Sequence, residues 1–319
     1  MNNNEIPRGT RVLVTGATGF TGSMLTRKLV SSALNVAAIA RPSSNIDSLN
    51  DLNISWFRGD VFDPKTVENA AKDADYIFHL ATAYRQPGSS SDYLEKVHVT
   101  STKLLAAEAL KNKSFKRFVH VSTVGVHGHI DQKEPADETY RFKPGDSYQT
   151  TKAQAETWIR EFSKQNSLPL TVIRPTGIFG PGDKRLFKLF KMASKRFFPL
   201  LGQGNCYYHL IHVDDLTEAI IKSASSPRAN GEIFICGNND PIKLEEIGRI
   251  IASELGRKIS VIRLPVWPFY LLAIMCEALC KPLKISPPIF RRRVAFFTKD
   301  RLFDTKKMRT ALGYEPKYS

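Results

Sequence analysis

Residues 15–22, Thr-Gly-Ala-Thr-Gly-Phe-Thr-Gly, set glycines at 16, 19 and 22 between a β-branched run at 11–15 and a helically spaced segment at about 23–30. This strand, tight turn and helix restrict the fold more than any other feature of the chain. Without Cβ atoms the backbone turns sharply and comes close to a diphosphate, whose charge the following helix N-terminus favours. Gly16, Thr18, Gly19, Phe20 and Gly22 are therefore candidate cofactor-binding residues, although a glycine triplet also makes an ordinary tight turn.

The alternation continues downstream. Apolar runs at 35–40, 54–57, 76–80, 118–121 and 170–173 are separated by helical spacing at 64–71, 98–110 and 149–163. Nearly continuous apolar strands between helices predict a parallel sheet covered on both faces. After Pro175 the rhythm breaks. Residues 177–182 are turn-rich, 184–198 read as a basic helix, and 210–213 and 233–236 are isolated strands. The expected fold class is α/β, a doubly wound parallel sheet over 1–175. A smaller C-terminal substrate-binding domain spans 176–319, with about 206–240 packing back on the first.

Composition excludes several classes. With 319 residues, 42% hydrophobic and 24% charged, the chain is neither disordered nor a single small core. Cys206, Cys236, Cys276 and Cys280 show no framework spacing and are expected as reduced thiols of a cytoplasmic protein. No apolar run at the start reads as a signal peptide. The longest apolar stretch, 264–280, contains Pro265, Pro268 and Glu277 and is short against a membrane span of about 20 residues. Cys276 and Cys280 stand one helical turn apart without other ligand types nearby, so no metal site is expected. The net charge is +15, concentrated toward the C-terminus. It means either a solvated surface or an anionic partner; no nucleic-acid reader motif accompanies it, so nucleic acid is not expected.

The second strand runs into Ile39-Ala40-Arg41-Pro42-Ser43-Ser44, where a ribose 2′-hydroxyl would call for a carboxylate. Arg41 and Ser43, with Ser44, suit a 2′-phosphate instead and favour NADP over NAD; the other reading of Arg41 is an exposed loop cation. Farther on, Tyr148 and Lys152 share a helix face. A cation favours a neighbouring phenolate, so the pair can exchange a proton with a substrate oxygen near neutral pH. Ser122 and Thr123, at the end of the preceding strand, place a hydroxyl in reach of the same oxygen.

These segments, with Gly59-Asp60-Val61, His79-Leu80-Ala81-Thr82, residues 174–182 and His212-Val213-Asp214-Asp215-Leu216, run in one order along almost the whole chain. The sequence resembles the extended short-chain dehydrogenase/reductase family, which includes the NAD-dependent epimerases/dehydratases and the 3β-hydroxysteroid dehydrogenase-like enzymes. The resemblance implies a Rossmann domain and an NAD(P)-dependent oxidoreductase. It assigns Tyr148 as catalytic acid/base, Lys152 as the ribose-binding partner that tunes it, and Thr123 rather than Ser122 as the catalytic hydroxyl. It also implies that Asp60 and Val61 bracket the adenine and that Leu80, Ala81, Thr82 and Pro175 line the cofactor. His127 replaces the family's usual tyrosine, and stands either toward the substrate or in packing.

Departures from the family pattern bear on substrate. Val124 and Gly125 stand where the 4,6-dehydratases carry an Asp-Glu pair, and Gly177 and Tyr208 stand where nucleotide-sugar epimerases carry asparagine and arginine. The expectation is hydride transfer at a secondary alcohol or ketone of an apolar, sterol-like or lipid-like small molecule. The alternative is a nucleotide-sugar epimerase with retained NAD, its phosphates met by Lys184, Arg185 or Arg291–Arg293. A binding protein without catalysis would not need Thr123, Tyr148 and Lys152 together. Residues 264–293, apolar and then basic, fit a lipid-pocket wall, peripheral membrane contact or a buried helix. Asp214 and Asp215 are expected to cap the following helix. Family members are commonly homodimers.

Overall fold

The computed structural model describes residues 5–83, 91–132, 134–280, 285, 287–289 and 291–318. In chain order the first half gives β1 (Arg11–Thr15), α1 (Phe20–Ser31), β2 (Asn35–Ala40), β3 (Ile54–Arg58), α2 (Pro64–Ala71) and β4 (Tyr76–His79). Then come α3 (Ser91–Glu95), which runs through a wide turn at Lys96–Thr100 into α4 (Ser101–Lys111), β5 (Arg117–Val121), α5 (Ser147–Asn166) and β6 (Leu170–Pro175). The second half gives β7 (Gly177–Phe179), α6 (Phe187–Ala193), β8 (Phe197–Leu201), β9 (Tyr207–Tyr208), β10 (Leu210–His212), α7 (Val213–Ser225) and β11 (Ile233–Cys236). It ends with β12 (Ile242–Lys243), α8 (Leu244–Glu254), β13 (Ser260–Leu264), α9 (Val266–Cys280), α10 (Arg291–Thr298) and α11 (Lys306–Leu312).

Seven parallel strands form the central sheet in the order β11-β6-β5-β4-β1-β2-β3. Period-two alternation sends Val12, Val14, Phe78, Val121, Ile173 and Phe234 to one face, where they pack with α1, α7 and α11. Leu13, Ile39, Ile77, Phe118 and Val172 go to the other face, against α2, α4 and α5. Burial on both faces explains why these strands read as unbroken apolar runs. Strand order reverses between β1 and β4, and the crevice outside their C-terminal ends is where such sheets bind ligands.

A second core joins α6, β8, β9 and α8 through Leu189, Phe198, Leu200, Tyr208 and Ile247. Two sequence expectations change here. The basic helix expected over 184–198 is helical only at Phe187–Ala193, and Phe197–Leu201 is a strand paired with β13. Phe198 and Leu200 are buried while Phe197 and Pro199 are exposed, a two-residue period that a helix cannot satisfy. His212, not an aspartate, caps α7 by accepting the Asp214 N–H. Asp215 is fully buried and accepts from the Tyr314 hydroxyl (2.9 Å) and the Lys317 and Tyr318 amides (3.0 Å each), tying the C-terminal segment to α7.

Candidate active site

The glycine turn lies against the end of β4. Gly16 has φ +75°, and a Cβ there would meet the Ala81 nitrogen and the Leu80 carbonyl carbon at 2.9 Å, so a side chain fits neither the conformation nor the space. A Cβ on Gly22 would lie 2.0 Å from the Gly16 oxygen, which seats α1 directly on the turn. Gly19 caps α1 without a side chain, and the first turn carries no acid. The α1 amides therefore face outward beside an open backbone cradle, a donor set that fits a dinucleotide diphosphate.

β1, β4 and α4 are joined beneath the cradle by hydrogen bonds. The Ala81 N–H donates to Thr15 Oγ1 (3.2 Å), leaving the Thr15 proton for His79 Nδ1 at 2.7 Å. Thr102 donates to the His98 carbonyl (2.6 Å), so it accepts from His79 Nε2–H at 3.0 Å. His98 repeats the pattern. Its Nε2 accepts from the Ala83 N–H (3.2 Å) and stands 3.0 Å from Thr82 Oγ1. Its Nδ1–H donates to Thr151 Oγ1 (2.8 Å), whose own proton goes to the Ser147 carbonyl. His98 thus links the end of β4 to the first turn of α5, and its ring meets Tyr148 edge-on at 5.4 Å.

Asp146 starts α5 by accepting the Gln149 N–H, so Tyr148 stands in the first turn and Lys152 one turn later. Lys152 is buried, with Nζ donating to the Val121 carbonyl at the end of β5 (3.0 Å). Burial lowers its pKa to about 8, against the opposing pull of Glu156. Burial and then the Lys152 charge lower His79 to about 3 and His98 to about 2, and hold His120 well below the ordinary value. These three histidines are neutral near pH 7. Thr123, half-buried, accepts the Gly125 N–H (3.0 Å), a bond that leaves its own proton for donation. Ser122 is buried and its hydroxyl has no hydrogen-bond partner among the described residues.

Behind Lys152 the same face of α5 carries Glu156, fully buried against Arg174 of β6. Arg174 donates to Glu156 through Nε (3.1 Å) and Nη2 (2.5 Å) and to the Glu138 carbonyl through Nη1 (2.8 Å). Arg174 Nη1 also contacts His127 Nε2 (3.2 Å), so His127 is a packed histidine within this cluster and does not line an open site.

At the β2 end, Arg41 Nη1 stands 3.2 Å from the Tyr93 hydroxyl and Ser43 is exposed. Arg58, opposite Ala40 on β3, donates to the Pro42 carbonyl (3.1 Å), placing a second guanidinium there. Asp60 and Val61 follow β3, and Pro175 closes β6 beside Cys236. The sequence reading missed Arg58, Glu156 and the histidines. Four-residue spacing after Lys152 was a signal for Glu156, whereas only the folded structure brings His79 and His98 to Thr15 and Thr151.

The remaining candidates lie apart. The Arg185 guanidinium is 5.8 Å over the Phe20 ring but is held by Asp183 and the Ile178 carbonyl. On α9, Trp267 and Tyr270 are exposed, and only Ala273 is buried, which rules out the buried-helix reading of this segment. Lys281, Lys284 and the Arg292 side chain lie outside the described residues. All four cysteines are free, and no group of metal-ligating side chains occurs among the described residues.

The chain is 27% identical to 3beta-hydroxysteroid-dehydrogenase/decarboxylase isoform 2 of Arabidopsis thaliana, over 95% of this chain and 59% of that longer protein. It is 28% identical to the sterol-4-alpha-carboxylate 3-dehydrogenase ERG26 (decarboxylating) of Candida albicans, over 96% and 93%. Identity is 26% to the N-acetyl-alpha-D-glucosaminyl-diphospho-ditrans,octacis-undecaprenol 4-epimerase of Escherichia coli O157:H7, over 97% and 91%. The UDP-glucose 4-epimerase structure from Thermotoga maritima shares the fold, with TM-score 0.76 at 20% identity, covering 97% of this chain and 94% of that one. The family model described as the NAD dependent epimerase/dehydratase family matches residues 12–237, most of the chain. This chain is an enzyme of the extended short-chain dehydrogenase/reductase family and belongs to its NAD-dependent epimerase/dehydratase group.

Proposed function

We propose that the chain is an NADP(H)-dependent oxidoreductase acting at a secondary alcohol or ketone of a largely apolar, sterol-like or lipid-like molecule. The observation that carries this reading is the buried Lys152 ammonium on the β5 end, one turn beyond Tyr148 on a helix whose Thr151 is tied through His98 to Ala83 in the segment after β4. Gly16, Thr18, Gly19, Phe20 and Gly22 would hold the diphosphate, Arg41, Ser43 and Arg58 the 2′-phosphate, and Asp60 and Val61 the adenine. Leu80, Ala81, Thr82 and Pro175 would line the remainder. A dinucleotide held there would supply the hydride for the substrate carbon, or take it up in the reverse direction. In reduction the Tyr148 phenol gives its proton to the substrate oxygen, and Thr123 donates a hydrogen bond to that oxygen. Lys152 favours the phenolate that results, and this general acid is worth about 10²–10⁴-fold in rate.

The apolar substrate class is supported by the likeness to the two sterol-acting proteins along nearly the whole chain. The four free thiols fit a cytoplasmic setting. One observation favours the epimerase as a second reading. The Arg301 guanidinium stacks 4.5 Å from the Tyr208 ring, so the C-terminal segment brings a cation to the position where Tyr208 replaces the epimerase arginine.

The test is turnover of external NADPH or NADP with hydroxy- and keto-sterols and long-chain ketones, in the wild type and in Tyr148→Phe. The variant is expected to bind cofactor normally and lose turnover; retained turnover removes Tyr148 from its role. Protein that purifies with NAD bound and leaves external cofactor unchanged supports the epimerase instead.

A further inference from the structure

We propose that α9 is a docking helix that lies in the plane of an anionic phospholipid surface, an interaction independent of which reaction the enzyme performs. Trp267, Leu271, Met275 and Leu279 recur every fourth residue and are 68%, 52%, 59% and 66% exposed. Tyr270 and Ile274 widen the same stripe. A surface helix of a globular protein turns such a stripe inward, whereas here it faces solvent and the one buried residue is Ala273. The strand pair that leads into α9 continues the apolar surface, with Phe197 and Ile262 exposed.

Length excludes a crossing. At about 1.5 Å per residue the 15 residues of α9 span roughly 22 Å, short of a hydrocarbon core of about 30 Å. No helix among the described residues is long and apolar enough to cross a membrane. In-plane seating needs only the stripe, with Trp267 at the headgroup level.

Charge selects the occupant. Glu277, the one acid of α9, accepts from the Arg291 backbone N–H (2.8 Å) and Nε (2.7 Å), so its charge is matched within the protein. Exposed Arg293 lies on the helix beside it, and the sequence sets Lys281 and Lys284 directly after α9 and Arg292 next to Arg293, whereas Lys307 and Lys317 farther along pair with Glu232 and Glu218. An apolar stripe beside Arg293 and followed in sequence by further cations complements acyl chains beneath anionic headgroups better than it complements a second copy of the same basic chain.

The experiment is co-sedimentation of the whole protein with vesicles of phosphatidylcholine alone and of phosphatidylcholine with phosphatidylglycerol, at low and high salt, with tryptophan emission recorded. The wild type is expected to pellet with the anionic vesicles, less so at high salt, with a blue-shifted emission. Trp267→Ser combined with Leu271→Ser and Met275→Ser should lower partitioning at least tenfold with an unchanged melting temperature, because these side chains are exposed. Arg293→Ala should lower it about fivefold. Wild type that stays in the supernatant overturns the proposal, as does equal binding to neutral vesicles or equal binding of the triple variant. A concentration-dependent dimer that ignores vesicles and is dissolved by the triple variant also overturns it, assigning the stripe to a protein partner.

Discussion

Glu156→Gln separates the two tasks of the buried carboxylate. The amide keeps the shape of the side chain and removes its charge, leaving the Arg174 guanidinium buried with donors at 2.5 and 3.1 Å facing a neutral group. Breaking a buried pair from one side costs about 3–5 kcal/mol. An unfolding entropy of about 2.1 cal/mol/K per residue gives roughly 0.67 kcal/mol/K for 319 residues, so the melting temperature should fall by about 4–8 °C. The second task concerns Lys152. Glu156 raises the pKa that burial lowers to about 8, so its removal moves Lys152 further down. As pH rises the ammonium is then lost earlier, and the alkaline limb of kcat/KM should shift toward lower pH. Thermal melts and pH–rate profiles of the wild type, Glu156→Gln and Glu156→Asp read both effects, with the aspartate restoring much of the alkaline limb. A lowered melting temperature with an unmoved alkaline limb would confine Glu156 to holding Arg174. No change in either would refute the account of the buried pair.

Two further outcomes follow from the charges around the crevice. His79 and His98 have folded pKa values of about 3 and 2, and His120 lies well below 6.5. The unfolded chain binds their protons first, so this stabilisation is complete above about pH 6.5 and is lost as pH falls toward the folded values, by up to ~1.4 kcal/mol per pH unit for each histidine. Denaturant melts from neutral pH downward should show that slope, and stability flat over this range would contradict it. Arg41→Ala with Arg58→Ala should raise KM for NADPH by about 100-fold or more, from the loss of charge-assisted bonds of about 1.5–3 kcal/mol each, and spare NADH. An equal loss with both cofactors would show that neither guanidinium meets a 2′-phosphate.

The sheet was legible because burial on both faces leaves a plain mark. Arg11–Thr15, Asn35–Ala40 and Tyr76–His79 are apolar runs that nothing but a covered parallel sheet uses so often. Elements in the smaller core left an ambiguous mark. Phe197–Leu201 carries two aromatics behind a basic stretch that reads equally as a helix, and its pairing with Ser260–Leu264, sixty residues away, decides the matter. Spacing alone put Tyr148 and Lys152 on one helix face, while the choice of Thr123 over Ser122 came from the family resemblance. Arg58 and the buried histidines were not legible, since their significance arises only when β3 lies beside β2 and when β4 meets α4 and α5.

That difference has a physical cause at the ends of β4 and β5. Lys152 is a buried ammonium whose opposing charge, Glu156, also carries Arg174, so one carboxylate stands among two buried cations. A third cation in this space would go unbalanced, and the three histidines tolerate it only as neutral rings. Thr15, Thr102 and Thr151 fix the tautomers of His79 and His98, each hydroxyl taking one bond and giving another. Neutral imidazoles then supply donors and acceptors without adding charge, which leaves the Lys152 pKa close to physiological pH. A sequence records the identity of such groups but not their protonation, and protonation is what makes this cluster compatible with a working ammonium.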